Sequence, residues 1–298
     1  MRYFKPVLVV IFALLLAPVA AQTPPSAEQR AAERRAAFEA ADKVAVRGAA
    51  VVKLGEQGEM ALPGGYLYVP QPEAGRVTRS LGNSDSPNLL GLVFPRGDGN
   101  WFASLRFIKE GYIKDDDAKN WNADELLQNL KDGTEAGNSD RVSRGFDAME
   151  VTRWLEVPLY DGVAHRLVWS ALVKTKGSAD NDGSANYNTY ALGREGYLSL
   201  NLVTGVDSLE GNKKFARELL AALNYGPGKR YEDFNASTDS VAAYGLAALV
   251  GGAVAKKIGA FALIAAFALK AWKLIIVAAA GLLYGVGRLF GRKPRADA

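Results

Sequence analysis

Cysteine is absent from this 298-residue sequence, and histidine occurs once, at position 165. The first absence excludes disulfide bonds, thiolate metal sites and thiol nucleophiles. The second excludes any metal site that needs two imidazole ligands, and it leaves His165 as the only imidazole that could act as a base. Because His165 opens a predicted strand with alternating burial, a structural role is favoured for it over a catalytic one.

Several motifs of catalytic and nucleotide-binding sites are also missing. No Gly-x-Ser-x-Gly segment is present to hold a serine nucleophile for His165. Neither a Walker phosphate loop nor a Gly-x-Gly-x-x-Gly turn occurs. We therefore predict no cofactor and no metal ion, we assign no catalytic residue, and a protein that is not an enzyme is favoured.

Two acidic clusters are the remaining candidates for a cation site. Asp115, Asp116 and Asp117 are consecutive and stand just before a predicted helix, so a role at the positive helix end or in a solvated loop is favoured. Residues 180–184 alternate aspartate and asparagine before a glycine, as calcium loops do, but no bidentate glutamate follows at loop spacing. A turn is the favoured interpretation of this second cluster.

Charge is distributed unevenly along the chain. Residues 1–21 and 241–298 together hold ten of the 36 basic and one of the 32 acidic residues, which leaves residues 22–240 with 26 basic and 31 acidic side chains. The body of the chain is therefore mildly acidic, and this argues against a nucleic-acid partner.

The N-terminal region predicts a secretory signal peptide over residues 1–21. Arg2 and Lys5 precede an apolar run at residues 7–17, and residues 19–21 are small, as a signal peptidase requires. An uncleaved anchor is the alternative, but the run is short for a span and ends at Pro18. Residues 22–48 are polar and rich in alanine, and they predict a helical spacer capped by Ser26 that is solvated or bound to a partner.

Residues 49–235 predict one extracytoplasmic domain of the α+β class. Strands are predicted at 49–54, 59–62, 66–69, 89–94, 101–108, 150–157, 164–174, 187–194 and 197–203. Helices are predicted at 122–139 and 208–223, and residues 224–235 are predicted to be a turn-rich linker to the membrane. This order favours a mostly antiparallel sheet covered by the two helices.

Side-chain alternation predicts which face of each strand is buried. In strand 101–108, Phe102, Ser104 and Arg106 are predicted to face solvent. The aromatic side chains of the sheet could line a ligand groove, but aromatic residues at alternate strand positions are more often core, and core is favoured for them. They are Trp101, Phe102, Trp154, Trp169, Tyr187 and Tyr190.

The most apolar part of the sequence is residues 236–291, which precede a basic tail at 292–298. Uncharged runs cover 241–255, 258–269 and 274–287, each shorter than the ~20 residues of a straight span. A two-span hairpin that turns at 270–273 would bury Lys256 and Lys257. A single transmembrane helix over 269–290, favoured here, would keep Lys270 and Lys273 at the outer interface and the basic tail in the cytoplasm.

Four segments resemble a family of bacterial membrane-anchored proteins whose domain has no assigned function. They read GYIKDDDA, WLEVPLYDGVAHRLVWS, NYNTYALGREGYLSLNLV and KRYEDFNASTDSVAAYGLAALVGG. The resemblance covers about residues 55–290 and implies a secreted domain with a C-terminal membrane segment. It supplies no catalytic residue to assign in this sequence. The order of elements is also similar to the PsbP/Mog1-type sandwich, which implies a fold and no activity.

The predicted function is a binding or scaffolding module held at the bacterial cytoplasmic membrane, with its main domain in the periplasm. Membrane lipid and an envelope protein are the predicted partners, and the spacing of Gly281 and Gly285 favours a homodimer through the C-terminal segment. One alternative is a periplasmic hydrolase that pairs Asp115 or Asp117 with Glu110 as acid and base. Another is a membrane stress protein that acts through its C-terminal helices.

Overall fold

The computed structural model describes residues 24–119 and 121–251 of the chain. The strands are β1 (Val46–Arg47), β2 (Ala50–Lys53), β3 (Gly58–Leu62), β4 (Tyr66–Pro70), β5 (Leu89–Pro95), β6 (Trp101–Ile108), β7 (Met149–Asp161), β8 (Arg166–Thr175), β9 (Ser184–Gly193), β10 (Gly196–Gly205) and β11 (Leu223–Tyr225). The helices are α1 (Ala27–Val44), α2 (Glu73–Ser80), α3 (Ala123–Ser143), α4 (Leu209–Ala221) and α5 (Ala247–Gly251).

An eight-stranded antiparallel sheet forms the centre of the fold, in the order β1-β4-β5-β6-β10-β9-β8-β7. A smaller antiparallel sheet has the order β11-β3-β2. The α+β class with a mostly antiparallel sheet is therefore confirmed.

Both faces of the large sheet are covered. On one face, α4 and the small sheet pack over Leu198, Leu200 and Leu202 of β10, which are almost completely buried. On the opposite face, α1 and α2 cover β4 and β5, while α3 and α5 cover β8 and β9. We call this second surface the α3 face.

The two predicted covering helices are present as α4 and α3, on opposite faces of the sheet. Helix α3 continues through Gly133 and Gly137 to Ser143, four residues beyond the predicted end at 139. Asn138 explains part of this, because its side chain exchanges hydrogen bonds with the main chain of Met149, the first residue of β7. Helix α2 was not predicted, because its eight residues show only a short apolar pattern around Ala74 and Val77.

The N-terminal helix was predicted with the correct cap, but its packing differs from the expectation. Ser26 accepts a hydrogen bond from the amide of Gln29, and the Gln29 side chain accepts one from the amide of Ser26. The alanine face is not solvated, because Ala37 and Ala41 are buried against α2 and β4. Small side chains let two helices approach closely, and α1 is therefore a layer of the domain.

The face of β6 that carries Phe102, Ser104 and Arg106 was predicted to be solvated, and the structure differs from this prediction. The predicted solvent-facing Ser104 is only 4% exposed, and Phe102 stacks on Phe94 at a ring-centroid distance of 6.0 Å. Alternation along one strand predicts which side chains share a face, but not whether a helix covers that face.

Several predicted segments lie outside the described residues, namely the signal peptide at 1–21, the span at 269–290 and the basic tail at 292–298. Across the described parts of the chain, no helix combines the length and the apolar character that crossing a membrane would require.

Candidate functional site: the C-terminal strap and the His165 cluster

Residues 223–250 form a strap that runs along the end of the large sheet, rather than the predicted linker at 224–235. Strand β11 at its start pairs with β3, and the main chain of Arg230 pairs with Gly193 at the end of β9. Further on, Val241 forms a parallel bridge with Tyr112. The first part of the predicted membrane-associated segment 236–291 thus packs on the domain, with Leu246 and Val250 fully buried.

An arginine–aspartate pair holds the middle of the strap. The Arg194 guanidinium donates two hydrogen bonds to Asp239, at 2.7 and 2.8 Å. The Asp239 carboxylate also accepts the amide of Asn235 at 2.8 Å. The Arg194 hydrogen bonds, followed by the Asn235 amide, hold the pKa of Asp239 far below its usual range. The carboxylate is therefore charged throughout the physiological range, and bidentate pairing fixes the direction of the strap.

Asp117 fixes the point where the strap turns into α5. Its two carboxylate oxygens accept the amides of Leu246 and Ala247, at 2.9 and 3.2 Å. The sequence placed this acidic cluster at a helix terminus, but on the adjacent helix 122–139, whose cap is instead the side chain of Asn122. The two amides that Asp117 accepts lie 129 and 130 positions later in the chain.

Four rings stack between the strap and the sheet. The distance between ring centroids is 3.9 Å for Phe234 and Tyr112, and 4.4 Å for Tyr112 and Tyr231. The ring centroid of Tyr231 lies 4.1 Å from that of the His165 imidazole. The hydroxyl of Tyr231 donates to the carbonyl of Ile113 at 2.8 Å. Because aromatic pairs stabilise beyond their buried area, the stack binds the strap to the hairpin of β7 and β8.

His165 also belongs to a hydrogen-bonded group with Tyr160 and Asp115. The Tyr160 hydroxyl donates to Asp115 Oδ2 at 2.7 Å and lies 3.1 Å from His165 Nδ1. Burial and the neighbouring Asp115 raise the pKa of Tyr160 far above its usual range, so the phenol stays neutral. Because its proton goes to Asp115, the phenol oxygen acts as the acceptor toward His165 Nδ1. We call these three residues, with Tyr112, Tyr231 and Phe234, the His165 cluster.

His165 is the only described residue other than glycine with a positive φ, at 50°. It closes the hairpin between β7 and β8, where the Asp161 carboxylate accepts the amides of Val163 and Ala164 at 2.9 and 3.0 Å. Histidine enters the left-handed region more readily than most residues, so the turn accounts for this backbone. His165 thus closes a turn and stacks on Tyr231, which agrees with the structural role that the sequence favoured.

Two open cavities flank the His165 cluster. One, of about 300 Å³, is bordered by His165, Arg166, Arg230 and Tyr231. The other, of about 520 Å³, is bordered by Asp115, Asp116, Trp121 and Tyr160 among others. Neither Asp117 nor Glu110 lines the second cavity, so this cavity does not contain the carboxylate pair that the hydrolase alternative requires.

The second acidic cluster forms the turn that the sequence favoured. Residues Asp180–Asp182 form a single 3₁₀ turn between β8 and β9. Asp180 pairs with Lys174 at 3.0 Å and with Arg153 at 3.7 Å. Within residues 24–119 and 121–251, no group of three histidine, aspartate or glutamate side chains is placed to hold a metal ion.

Four of the six sheet aromatics are core residues, as predicted, whereas Phe102 and Trp154 are only partly buried. Trp101, Trp169, Tyr187 and Tyr190 are each less than a tenth exposed. Trp154 is partly exposed, and its indole nitrogen donates to the carbonyl of Ala123 at 3.0 Å.

Sequence reasoning missed a polar strip on the central strands of the α3 face. It comprises Ser104, Arg106, Asn188, Ser199 and Asn201. Two rows cross the sheet at this point: one runs Leu89, Arg106, Ser199, Tyr190 and Leu167, and the other runs Leu92, Ser104, Asn201, Asn188 and Trp169. Each row is apolar at its ends and polar in its middle, and the ends lie under the two groups of helices. The alternating polar residues of β6, β9 and β10 were the available signal, but they predicted a solvated face.

Comparisons with known proteins give a family, and two of the solved structures that match this chain are described below. A family model described as a protein of unknown function (DUF2167) matches residues 46–280. The solution structure of cyanobacterial PsbP from Synechocystis is 11% identical with a TM-score of 0.37, and the match covers 61% of this chain and 91% of that protein. A protein of unknown function from Pseudomonas aeruginosa is 9% identical with a TM-score of 0.23, over 60% and 97% of the two chains. A search of curated protein sequences found no match.

Proposed function

Because the chain belongs to the DUF2167 family of proteins of unknown function, we propose a function from its own sequence and geometry. It is an envelope protein held at the cytoplasmic membrane by its apolar C-terminal segment, and its domain serves as a binding or scaffolding module in the periplasm. The single observation that carries the proposal is that residues 241–250, near the start of the apolar C-terminal segment, pack on the domain.

The strap supports a rigid attachment rather than a loose tether. Leu246, Leu249 and Val250 are at most 4% exposed. Asp117 fixes the first turn of α5, so this helix starts in a defined position on the domain. A flexible linker between a domain and a membrane segment would need neither the Asp117 carboxylate at the start of α5 nor the buried side chains of Leu246 and Leu249.

The charge distribution supports an orientation for the protein. The region beyond residue 251 has eight basic residues and only Asp297 as an acid, and four of the basic residues follow position 287. Basic residues beside a span favour the cytoplasmic side. The domain, on the other side, would face the periplasm, where the predicted signal peptide would direct it.

The geometry of the acidic side chains supports a module that is not an enzyme. Asp117 uses both carboxylate oxygens on main-chain amides, and Asp115 accepts a hydrogen bond from Tyr160. A hydrolase needs one acid and one base that face a common substrate position. The hydrolase alternative therefore gains no specific support, and the alternative of a stress protein would rest on residues beyond 251.

Removal of residues 252–298 is expected to release the protein from the membrane without unfolding it. Membranes of cells that produce either the full chain or a chain ending after residue 251 are washed with alkaline carbonate. The full chain should stay in the membrane pellet, because a spanning helix is not extracted, whereas the shortened chain should appear in the soluble fraction. A chain that ends after residue 291 is the matched control and should stay in the pellet.

Two results would contradict the proposal. One is a full chain that carbonate removes from the membrane, and the other is a shortened chain that remains there. Near-ultraviolet circular dichroism of the released protein checks that loss of retention is not caused by unfolding.

A further inference from the structure

The polar strip contains buried polar groups that the packing of the sheet does not explain. Ser104, Asn188 and Ser199 are only 4 to 6% exposed, whereas Arg106 and Asn201 stay partly exposed. Ser104 and Ser199 are the cross-strand neighbours of Asn201 and Arg106 respectively. Polar side chains in such a position cost stability unless their hydrogen bonds and charges are satisfied.

Arg106 has no acidic partner among residues 24–119 and 121–251. The groups that act electrostatically on its guanidinium are the hydroxyls of Tyr190 and Tyr197. Burial raises the pKa of Tyr190 to about 12, and burial also raises the pKa of Tyr197, so both are neutral at physiological pH. The two groups that act electrostatically on Arg106 are therefore both uncharged.

The rest of the chain offers little to neutralise this charge. Residues 1–23 contain no acidic residue, and residues 252–298 contain only Asp297 against eight basic residues. A segment rich in alanine, leucine and lysine does not complement a strip of serine, asparagine and arginine, because the polar groups would stay unpaired or meet a like charge.

Asn201 provides a second unfilled contact in the next row of the strip. Its Nδ2 donates to Asn186 Oδ1 at 3.2 Å, but its buried Oδ1 has no hydrogen-bond partner within the described residues. A ligand for both positions would bring an oxyanion to Arg106 and a hydroxyl or amide donor to Asn201.

We propose that the polar strip of the α3 face is a binding site for a small polar oxyanion, with Arg106 as the residue that binds its negative group. The inference deepens the binding role proposed above, because it names the class of ligand. A phosphate ester of a polyol has the required anion and donors, and it exists both as a free metabolite and as a lipid headgroup.

The test uses the full chain in a neutral detergent and measures its melting temperature. Glycerol 3-phosphate is titrated against potassium chloride at constant ionic strength. The melting temperature of the wild-type protein should rise by about 2–5 °C at saturation, since a ligand that binds only the folded state stabilises it. Arg106→Gln should abolish the rise. Arg96→Gln is the matched control, because Arg96 is an exposed arginine after β5 and should leave the rise intact.

The same variants separate a binding role from a structural one. Without ligand, Arg106→Gln should melt at the same or a higher temperature than the wild type, since it removes an unpaired charge. Ser199→Asp places a carboxylate directly across from Arg106, and it should raise the melting temperature without ligand and abolish the response to ligand. Ser199→Asn adds a volume similar to that of aspartate but no charge, and it should not raise the melting temperature without ligand.

A short-chain phosphatidylglycerol identifies the source of the ligand. A rise that depends on Arg106 with glycerol 3-phosphate supports a free metabolite, and such a rise with the lipid alone supports a headgroup. The inference is overturned if neither compound gives a rise, or if Arg106→Gln and Ser199→Asp both lower the melting temperature without ligand. Retention of the protein in carbonate-washed membranes does not involve Arg106. If the ligand experiment fails, the proposed membrane attachment therefore still stands, and if the carbonate experiment fails, the proposed oxyanion site still stands.

Discussion

A chain that ends after residue 235 is expected to lose its tertiary structure, whereas a chain that ends after residue 251 keeps it. The two differ by only sixteen residues, which the sequence alone assigned to the membrane-associated segment. In the structure these residues form the second half of the strap.

The expected loss follows from what the shorter chain would expose. It lacks Asp239, so Arg194 loses its bidentate partner at the end of β9. It also lacks the fully or nearly fully buried Leu246, Leu249 and Val250. Burial of one such side chain contributes about 1.5–3 kcal/mol, and three of them approach the ~5–15 kcal/mol by which a typical domain is stable.

Near-ultraviolet circular dichroism and limited proteolysis of the two purified chains measure the difference. The chain that ends after residue 251 should give a resistant fragment and a cooperative melting transition. The chain that ends after residue 235 should give neither. If both chains melted alike, the strap would be a dispensable linker, and the proposed rigid attachment would be wrong.

Substitution of Gly196 by alanine is expected to lower stability more than most single changes in the sheet. Gly196 starts β10 with a φ of +152°, and a Cβ there would lie 1.9 Å from the carbonyl oxygen of Ile108. Since that atom belongs to the backbone of β6, it cannot move aside without breaking the pairing of the two central strands. We expect a loss of about 3 kcal/mol or more, the upper end of the usual cost of overpacking.

Thermal unfolding should place Gly196→Ala about 6–12 °C below the wild type, at about 2–4 °C per kcal/mol for a domain of this size. Gly205→Ala at the other end of β10 is the matched control. An added Cβ there finds only the Ser208 hydroxyl oxygen at 3.9 Å, so this variant should melt within about 2–4 °C of the wild type. Equal melting temperatures for the two variants would show that the close contact at Gly196 is absent.

The central strands and the two long covering helices were predictable because their signals are local. The alternation in strand 101–108 matches β6 in extent, and the apolar stripe at 208–223 matches α4 within two residues. Helix α2 carries a weaker local signal and was missed. The packing of Phe102 against the cluster of α1 and α2 was also missed, since these helices come from other parts of the chain and no local pattern encodes their position.

The candidate site depends almost entirely on such distant contacts. Asp117 was predicted at a helix terminus, but the amides it accepts belong to residues far along the chain. His165 was predicted to be structural from its place at the start of a strand and from the absence of a nucleophile motif. Its stacking on Tyr231 depends on the path of the strap, which no local pattern predicts. The polar strip combines three strands, and the polar residues of each one alone are typical of a solvent face.

Cysteine labelling tests the central claim, a periplasmic domain with a single membrane anchor, most directly. The chain has no cysteine, so one introduced cysteine is the only reactive thiol. Val163→Cys lies on the β7–β8 hairpin at a residue that is 94% exposed, and Ala296→Cys lies in the basic tail. Cells with a permeabilised outer membrane are treated with a membrane-impermeant maleimide before or after lysis. A periplasmic domain with one anchor predicts that position 163 reacts before lysis and position 296 only after it. Reaction at position 296 before lysis, or at position 163 only after it, would contradict this topology.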